Sequence, residues 1–432
     1  MSKQVKIISA RCGNIRPDSI EDYVNAGGYT SLEKALKMNS ADIIEEVKKS
    51  NLMGRGGAAY PTGKKWEQLF RIKNDPKYIV CNADEGEPGT FKDQLLLNQD
   101  PFEVIEGMTI AGFVFNSHDG YIYIRGEYGV SQKIMKNAVE TAKRTGYLGN
   151  NILGTNFSYD IHVVSGAGAY VCGENSALLN SIEGKPGRPR IKPPHLAEFG
   201  LFLKPTLVNN VESYACIPYI VENGGDKFSK LGTESSGGTK LVCTSGNVNN
   251  KDVFEVPFGI TLRELIYDKE FGNGIPNGRK LKMVHIGGQS GSCFPEELLD
   301  TKLCYKELKS KGLSVGSGAL VVIDDSHCII DYLLCVSEFF IQESCGKCTP
   351  CREGNQQIHA LLSKFADGTA VNEDLNTMMR LSKLMKTGSF CGLGQTATAA
   401  LDSCLKYFRN EFEEHMDKKC RAGVCDFKGG VK

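Results

Sequence analysis

Residues 78–90 read YIVCNADEGEPGT. YIVCNAD is a short apolar run bounded by polar and turn residues, the pattern of a buried strand. The chain leaves that strand through three carboxylates, Asp84, Glu85 and Glu87. Open α/β sheets bind their ligands at the carboxyl ends of the strands, so an acidic loop there marks a candidate site. Working outward, DGYIYIRGEY at 119–128 alternates with period 2, and VSQKIMKNAVETAKRT at 130–145 is amphipathic and stops before Gly146. YDIHVVSGAGAY at 159–170 is a further strand running into a glycine-rich turn. Strands alternating with helices predict an α/β fold built on a parallel sheet, with its loops gathered at one edge.

The flanks divide the rest of the chain. The first fifty residues are polar and carry one helical pattern, SLEKALKMNSADIIEEVKKS at 31–50. NGGDKFSKLGTESSGGTK at 223–240 reads as a linker. Beyond it, KLVCTSGNV, DVFEVPF, KMVHIGG and GALVVIDD read as strands and TLRELIYD as a short helix, a small α+β module. From Cys328 the spacing is helical in IIDYLLCVSEFFIQ, NQQIHALLSKFA, EDLNTMMRLSKLMKT and TAALDSCLKYFRNEFEEHM, which predicts a bundle. The expected organisation is an N-terminal segment (1–45), the parallel-sheet domain (46–230), the α+β module (235–326) and the bundle (328–432).

Composition excludes several classes of function. The 432 residues carry 51 basic and 51 acidic side chains, so no net field favours nucleic acid or an anionic membrane. No apolar run approaches the roughly 18 residues of a spanning helix, and the N-terminus has no secretory apolar stretch. No direct membrane insertion and a cytoplasmic location are therefore expected. Sixteen cysteines are many for a reducing compartment, where disulfides are rare.

Their spacing is informative. Cys345, Cys348 and Cys351 form two C-x₂-C steps sharing one cysteine, and Cys391 opens Cys-Gly-Leu-Gly forty residues later. Three adjacent thiolates and one remote thiolate suit a [4Fe–4S] cubane, which needs one ligand per iron. A structural zinc site is the competing reading, but zinc sites favour two separated C-x-x-C knuckles. In the tail, His415, Cys420 and Cys425 form H-x₄-C-x₄-C, which Cys328 completes to a Cys₃His zinc set. Cys404 competes with Cys328, and a tail with incidental cysteines is the alternative. Cys12, Cys81, Cys172, Cys216, Cys243, Cys293, Cys304 and Cys335 lack ligand spacing and read as packing residues.

Glycine-rich segments at Gly54-Arg55-Gly56-Gly57 and Gly166–Asn175 suit anion binding by backbone amides. The motifs GRGG…PTG.KW, CNADE.EPG, IRGEY, GAGAY.CGE, KPP, NNVE and SCGKC.PCREG…CGLG follow one another from about residue 45 to 418. In that order they resemble the flavoprotein subunit that oxidises NADH in respiratory complex I. Related flavin subunits occur in NAD(P)-linked hydrogenases, electron-bifurcating ones included, and in formate dehydrogenases. The resemblance implies a Rossmann-like flavin domain, a β-grasp (ubiquitin-like) domain and a helical bundle carrying the cluster. It implies FMN held by Gly54, Gly56, Lys65, Asn82, Asp84, Gly173, Glu174 and Asn210. Arg55, Gly57, Tyr170, Asn175 and Asn209 complete the cofactor-binding set, and Tyr60, Glu85, Glu87 and Lys192 are the expected contacts of NAD(H).

Three positions depart from the family pattern. Asn175 stands where a second acidic residue is usual, and Gln68 and His195 replace aromatic residues around the adenine, which leaves NADP(H) open as an alternative. The implied activity is NAD(P)H oxidation, or the reverse flux, with no side chain acting as general acid or nucleophile. The implied partners are a thioredoxin-like [2Fe–2S] subunit and a further iron–sulfur, hydrogenase or formate dehydrogenase-type subunit. A flavin-free relay or scaffold is the reading of another class.

Overall fold

The computed structural model describes residues 3–427. Its first sheet consists of β1 (Tyr78–Ala83), β2 (Asp119–Ile124), β3 (Asp160–Ser165) and β4 (Thr206–Asn210), ordered β3-β2-β1-β4 and parallel throughout. β1 to β3 coincide with the runs read as strands. β4 does not announce itself, because TLVNN is only five residues long and ends in two asparagines. Pairing with β1 aligns Asn82 with Asn210 at the carboxyl edge.

Behind the sheet runs the helix Pro101–Phe115, capped by Asp100 and closed by Asn116 in the left-handed region. Its partner is Val211–Asn223, and the two approach so closely that a Cβ on Gly107 would lie 2.2 Å from the Tyr214 carbonyl oxygen. Glycine at 107 is therefore a packing requirement. The amphipathic helix Gly129–Arg144 ends as its sequence indicates, with Gly146 at φ +83°.

Two readings need correction. The pattern at 31–50 is not one helix but two, Thr30–Ala35 and Ser40–Lys49, separated at an extended Asn39. The first packs on Val211–Asn223, and the second packs on that helix and on Thr62–Phe70. The segment 223–240 is not a solvated linker. It contains the helix Gly225–Ser229, buries Phe228 and Ser236, and donates the Gly225 N–H to Glu46 at 2.7 Å. Its glycines permit close approach: a Cβ on Gly225 would meet the Glu46 carbonyl at 2.1 Å.

The second sheet contains β5 (Thr239–Gly246), β6 (Val253–Pro257), β7 (Leu281–Ile286), β8 (Ser292–Phe294) and β9 (Ala319–Asp324), ordered β6-β5-β9-β7-β8. β5 and β9 are parallel and the other pairs antiparallel, and the helix Leu262–Tyr267 follows the β5–β6 hairpin behind a Thr261/Glu264 capping box. This is a β-grasp connectivity. Three-residue β8 and the helix Tyr305–Ser310 are too short for a periodic signal.

The bundle comprises Ile329–Glu343, Thr349–Ala366, Asn372–Gly388, Gly392–Thr396, Ala399–Tyr407 and Arg409–Met416. Its second helix starts at Thr349, six residues before the pattern suggests, because Pro350 suits a first turn. Cys351 thus sits on a helix and not in a loop. The last pattern breaks at Phe408, where φ is −131°. Leu333, Phe340, Leu362, Phe365 and Leu401 share one apolar cluster with Val171 and Leu178 of the first domain and Met283 of the second sheet. All three units therefore meet in one core.

Candidate functional site

A cavity of about 340 Å³ opens at the carboxyl edge of the first sheet, within the roughly 300–1,000 Å³ typical of small-molecule pockets. Three parts of the chain enclose it. Arg55, Gly56 and Gly57 form one wall, the acidic loop with Tyr170, Gly173, Glu174 and Asn210 another. Gly287, Ser290 and Ser317 from the second sheet and Gly392, Leu393 and Thr396 from the bundle close it.

Asparagines and carboxylates organise the edge. Asn82 Nδ2 donates to the Gly173 carbonyl at 2.8 Å and to Asn175 Oδ1 at 3.1 Å. Asn210 caps the helix Val211–Asn223, and its Oδ1 accepts from Lys92 Nζ at 3.2 Å. Glu87 accepts from the Tyr170 hydroxyl at 2.6 Å and from the Ser290 N–H at 3.1 Å, which ties the acidic loop to the second sheet. Glu174 caps the helix Asn175–Ile182 and pairs with Lys192 at 2.8 Å.

Not every expected residue reaches the cavity. Glu85 borders it but turns its carboxylate away, to the N–H groups of Asp93 and Gln94 at 2.8 and 3.0 Å, and burial pushes its pKa up. Lys65 donates to the Val208 carbonyl at 2.8 Å beneath β4; burial, reinforced by Lys192, draws its pKa down to about 8. Asn209 is buried against the Trp66 indole. Gly54 bonds the Tyr60 carbonyl, Asn175 touches Asn82, and Tyr60 and Lys192 are exposed outside the cavity lining.

Lys92 and Asp93, which sequence reading did not single out, do line the cavity. Lys92 Nζ lies 3.0 Å from Glu212, and Glu212 lies 2.6 Å from Lys240 Nζ on β5. Arg55 is fully buried and donates to the Gly237 carbonyl at 2.8 Å, so the glycine loop is pinned from below. The Lys-Asp pair five residues past Glu87 was the available signal; its partner Glu212 is remote in sequence.

The cavity fits a flavin nucleotide. Asp84 Oδ2 is buried without a hydrogen-bond partner, an acceptor held ready for a donor. Burial raises the Asp84 pKa to about 7, from a usual value of 3.8. Because the folded-state value is the higher one, the folded state binds the extra proton, and stability falls as pH rises from about 4 to 7. In flavin-stripped protein, Asp84→Asn is expected to add about 2–4 kcal/mol at pH 8 and almost nothing at pH 4. Urea denaturation at the two pH values checks this; equal gains at both would refute it.

Cys345, Cys348, Cys351 and Cys391 line one small space with Val171, Pro189 and Leu393. Ser344 Oγ and Asn355 Nδ2 lie 3.2 and 3.5 Å from Cys351 Sγ, and the Phe390 N–H lies 3.5 Å from Cys348 Sγ. Hydrogen bonds to ligand sulfurs of this kind set iron–sulfur potentials.

The tail cysteines converge more tightly. Cys328, His415, Cys420 and Cys425 bring their ligand atoms within 4.8 Å of one another, and among the described residues they are the one such group suited to a single ion. The Cys345 set is more open, as a cubane requires. His415 Nδ1 donates to the Glu411 carbonyl at 2.6 Å, which leaves Nε2, 3.2 Å from Cys328 Sγ, with its lone pair toward the thiols. Cys404 is not part of this group and lies instead against Cys293.

Known proteins resemble this chain over most of its length. Residues 47–219 match the Nuo51 FMN-binding domain family, and residues 331–415 the NADH-ubiquinone oxidoreductase-F iron-sulfur binding region. The chain is 44% identical over 424 residues to NADP-reducing hydrogenase subunit HndC of Solidesulfovibrio fructosivorans, covering 98% of this chain and 86% of that protein. It is 44% identical over 401 residues to the F 2 subunit of the Rhizobium meliloti NADH-quinone oxidoreductase, covering 93% and 95%. A crystal structure of NAD+-reducing [NiFe]-hydrogenase in the H2-reduced state superposes with a TM-score of 0.84 at 31% identity, over 96% of this chain and 67% of that one. The chain belongs to the family of FMN- and [4Fe–4S]-binding NADH dehydrogenase-type subunits found in NADH-quinone oxidoreductases and NAD(P)-linked hydrogenases.

Proposed function

We propose that the cavity holds FMN against Asp84, Asn82 and Asn210, and that NAD(H) enters beside Glu87, Lys192 and Tyr60. The unpartnered Asp84 carboxyl carries this reading. When bound, the flavin supplies two-electron hydride chemistry with release of single electrons, and the cluster a one-electron carrier. The protein's part is positional. Asp84 and Asn82 would hold the flavin, Arg55 and the Lys92 network hold the glycine loop, and Gly392, Leu393 and Thr396, just past Cys391, line the cavity wall. Anaerobic NADH is expected to bleach flavin absorbance and develop a [4Fe–4S] EPR signal; bleaching without the signal would sink the reading.

A second reading, NAD(P)+ reduction, is favoured by the relative named an NADP-reducing hydrogenase subunit. Asn175 supports it, since an amide keeps a hydrogen bond to a ribose hydroxyl without repelling a 2′-phosphate. Asn175→Glu is expected to shift the kcat/KM ratio toward NADH by about tenfold, a charge effect of about 1.4 kcal/mol. An unchanged ratio in steady-state assays would remove Asn175 from the ribose.

The Cys328, His415, Cys420 and Cys425 group is assigned to structural zinc. Elemental analysis should find about one zinc per chain, and Cys420→Ser should lose it while iron stays constant; iron alone in the intact protein would refute the site. A thioredoxin-like [2Fe–2S] subunit and a further iron–sulfur, hydrogenase or formate dehydrogenase-type subunit are the proposed partners, and the cytoplasm the proposed location. No helix among the described residues is long and apolar enough to cross a membrane.

A further inference from the structure

Cys293 and Cys404 belong neither to the cluster nor to the tail group, and both are completely buried. They come from different units. Cys293 lies on β8, and Cys404 on the helix Ala399–Tyr407 packed across that strand. The Cys293 N–H donates to Ser403 Oγ at 2.8 Å, which holds the strand directly against the turn bearing Cys404. Both side chains belong to the same buried cluster, and each thiol lies near enough to the other to influence its ionisation. Cys293 is also the cross-strand partner of His285 on β7, so imidazole and thiol share one face of the sheet.

His285 is set up to act on this pair. Its Nδ1 bonds the Tyr332 hydroxyl at 2.7 Å, while its fully buried Nε2 has no oxygen or nitrogen partner. Burial opposes a Cys293 thiolate, but the neighbouring Cys404 and the facing His285 outweigh it and lower the thiol pKa. A thiolate beside an imidazolium is the reactive form of a cysteine, and a second thiol in reach is a resolving group.

We propose that Cys293 and Cys404 are a peroxide-sensitive dithiol that closes to a disulfide between the second sheet and the helical bundle. The Cys293 thiolate attacks one peroxide oxygen, and the O–O bond breaks. Sulfur retains that oxygen as sulfenic acid, and the other leaves as water with the His285 proton. The Cys404 thiol then attacks the sulfenic sulfur, the S–S bond forms, and a second water carries away the hydroxyl and the Cys404 proton. Two thiols and one hydrogen peroxide give one disulfide and two waters. A groove of about 550 Å³ lined by Leu281, Pro295, Tyr407 and Phe408 opens at this same joint, next to both cysteines in sequence. Because both thiols are fully buried, the oxidant must be small. The bond would clamp β8, and with it the loop whose Ser290 holds Glu87 at the cavity.

The test treats the intact holoprotein anaerobically with stoichiometric hydrogen peroxide, then alkylates under denaturing conditions and maps peptides without reductant. The expected product is a Cys293–Cys404 cross-linked peptide that dithiothreitol abolishes, with His285→Gln slowing its formation at least several-fold. Cys404→Ser should leave Cys293 as sulfenic or sulfinic acid. The proposal is overturned if both thiols stay fully alkylatable while other cysteines oxidise, or if Cys293 pairs elsewhere. Isotope-coded alkylation of wild type reads the same two outcomes without any variant.

Discussion

Cys391→Ala is expected to erase the [4Fe–4S] EPR signal while FMN stays bound. Cys391 is the extended residue that opens the helix Gly392–Thr396, and its thiol lies near the Leu393 and Gly394 N–H groups, which favour its thiolate. Removing it leaves one iron of a cubane without a thiolate, and no spare cysteine lines the space. Even a change behind a metal ligand costs roughly 10–100-fold in affinity or activity, so loss of the ligand itself should exceed that. Electron delivery to a partner subunit should therefore fall by more than about 100-fold. Reduction of a small artificial acceptor by the flavin should survive, because this segment meets the cavity through Gly392, Leu393 and Thr396 and not through the thiol. Iron content, flavin content and EPR of the same sample decide the matter. An unchanged EPR signal would remove Cys391 from the ligand set.

What could be read from the chain follows from where each signal resides. The acidic loop after β1 and the C-x₂-C-x₂-C run are local; the loop follows the strand as the pattern expects, whereas the last cysteine of the run lies on a helix that starts earlier than its pattern. β4 is invisible because its identity comes from pairing with β1, not from its own five residues. The glycines of 223–240 mimic a linker because close approach and flexibility call for the same amino acid; only the Glu46 carbonyl against Gly225 separates them. Lys65 beside a glycine loop suggests a phosphate ligand, yet a backbone carbonyl on β4 takes its ammonium. Cys293 looks like packing since His285 comes opposite it only through the β7–β8 register, and Cys404 lies on another unit. The Lys92–Glu212–Lys240 network is hidden for the same reason. A lysine in a helix pattern carries no sign that it will be buried.

That network supports the last expected result: Glu212→Ala should destabilise the protein by about 3–5 kcal/mol, the usual cost of removing one partner from a buried charge group. Glu212 is fully buried, lies 2.6 Å from Lys240, 3.0 Å from Lys92 and 4.0 Å from Arg55 Nε, and accepts from the Leu241 N–H at 3.0 Å. Its removal strands three cations, of which Lys92 keeps its pairing with Asp93. The effect should depend on pH in a defined direction. Burial works against the Glu212 carboxylate, but Lys240, Lys92 and Arg55 overcome it and hold its pKa below the usual 4.5. A carboxylate with a lowered folded-state pKa contributes stability above about pH 4.5 and loses it as pH falls through the folded value. The gap between wild type and Glu212→Ala should thus be widest near neutrality and shrink on acidification. Flavin retention should fall too, since Arg55 pins the glycine loop through Gly237 and relies on this carboxylate. Adding Lys240→Met to Glu212→Ala removes one stranded cation and should recover part of the loss, a coupling that a double-mutant cycle measures. Glu212→Ala within about 1 kcal/mol of wild type at pH 7 would mean that the cations are neutral or hydrated in the folded state, and the network would then not hold the loop.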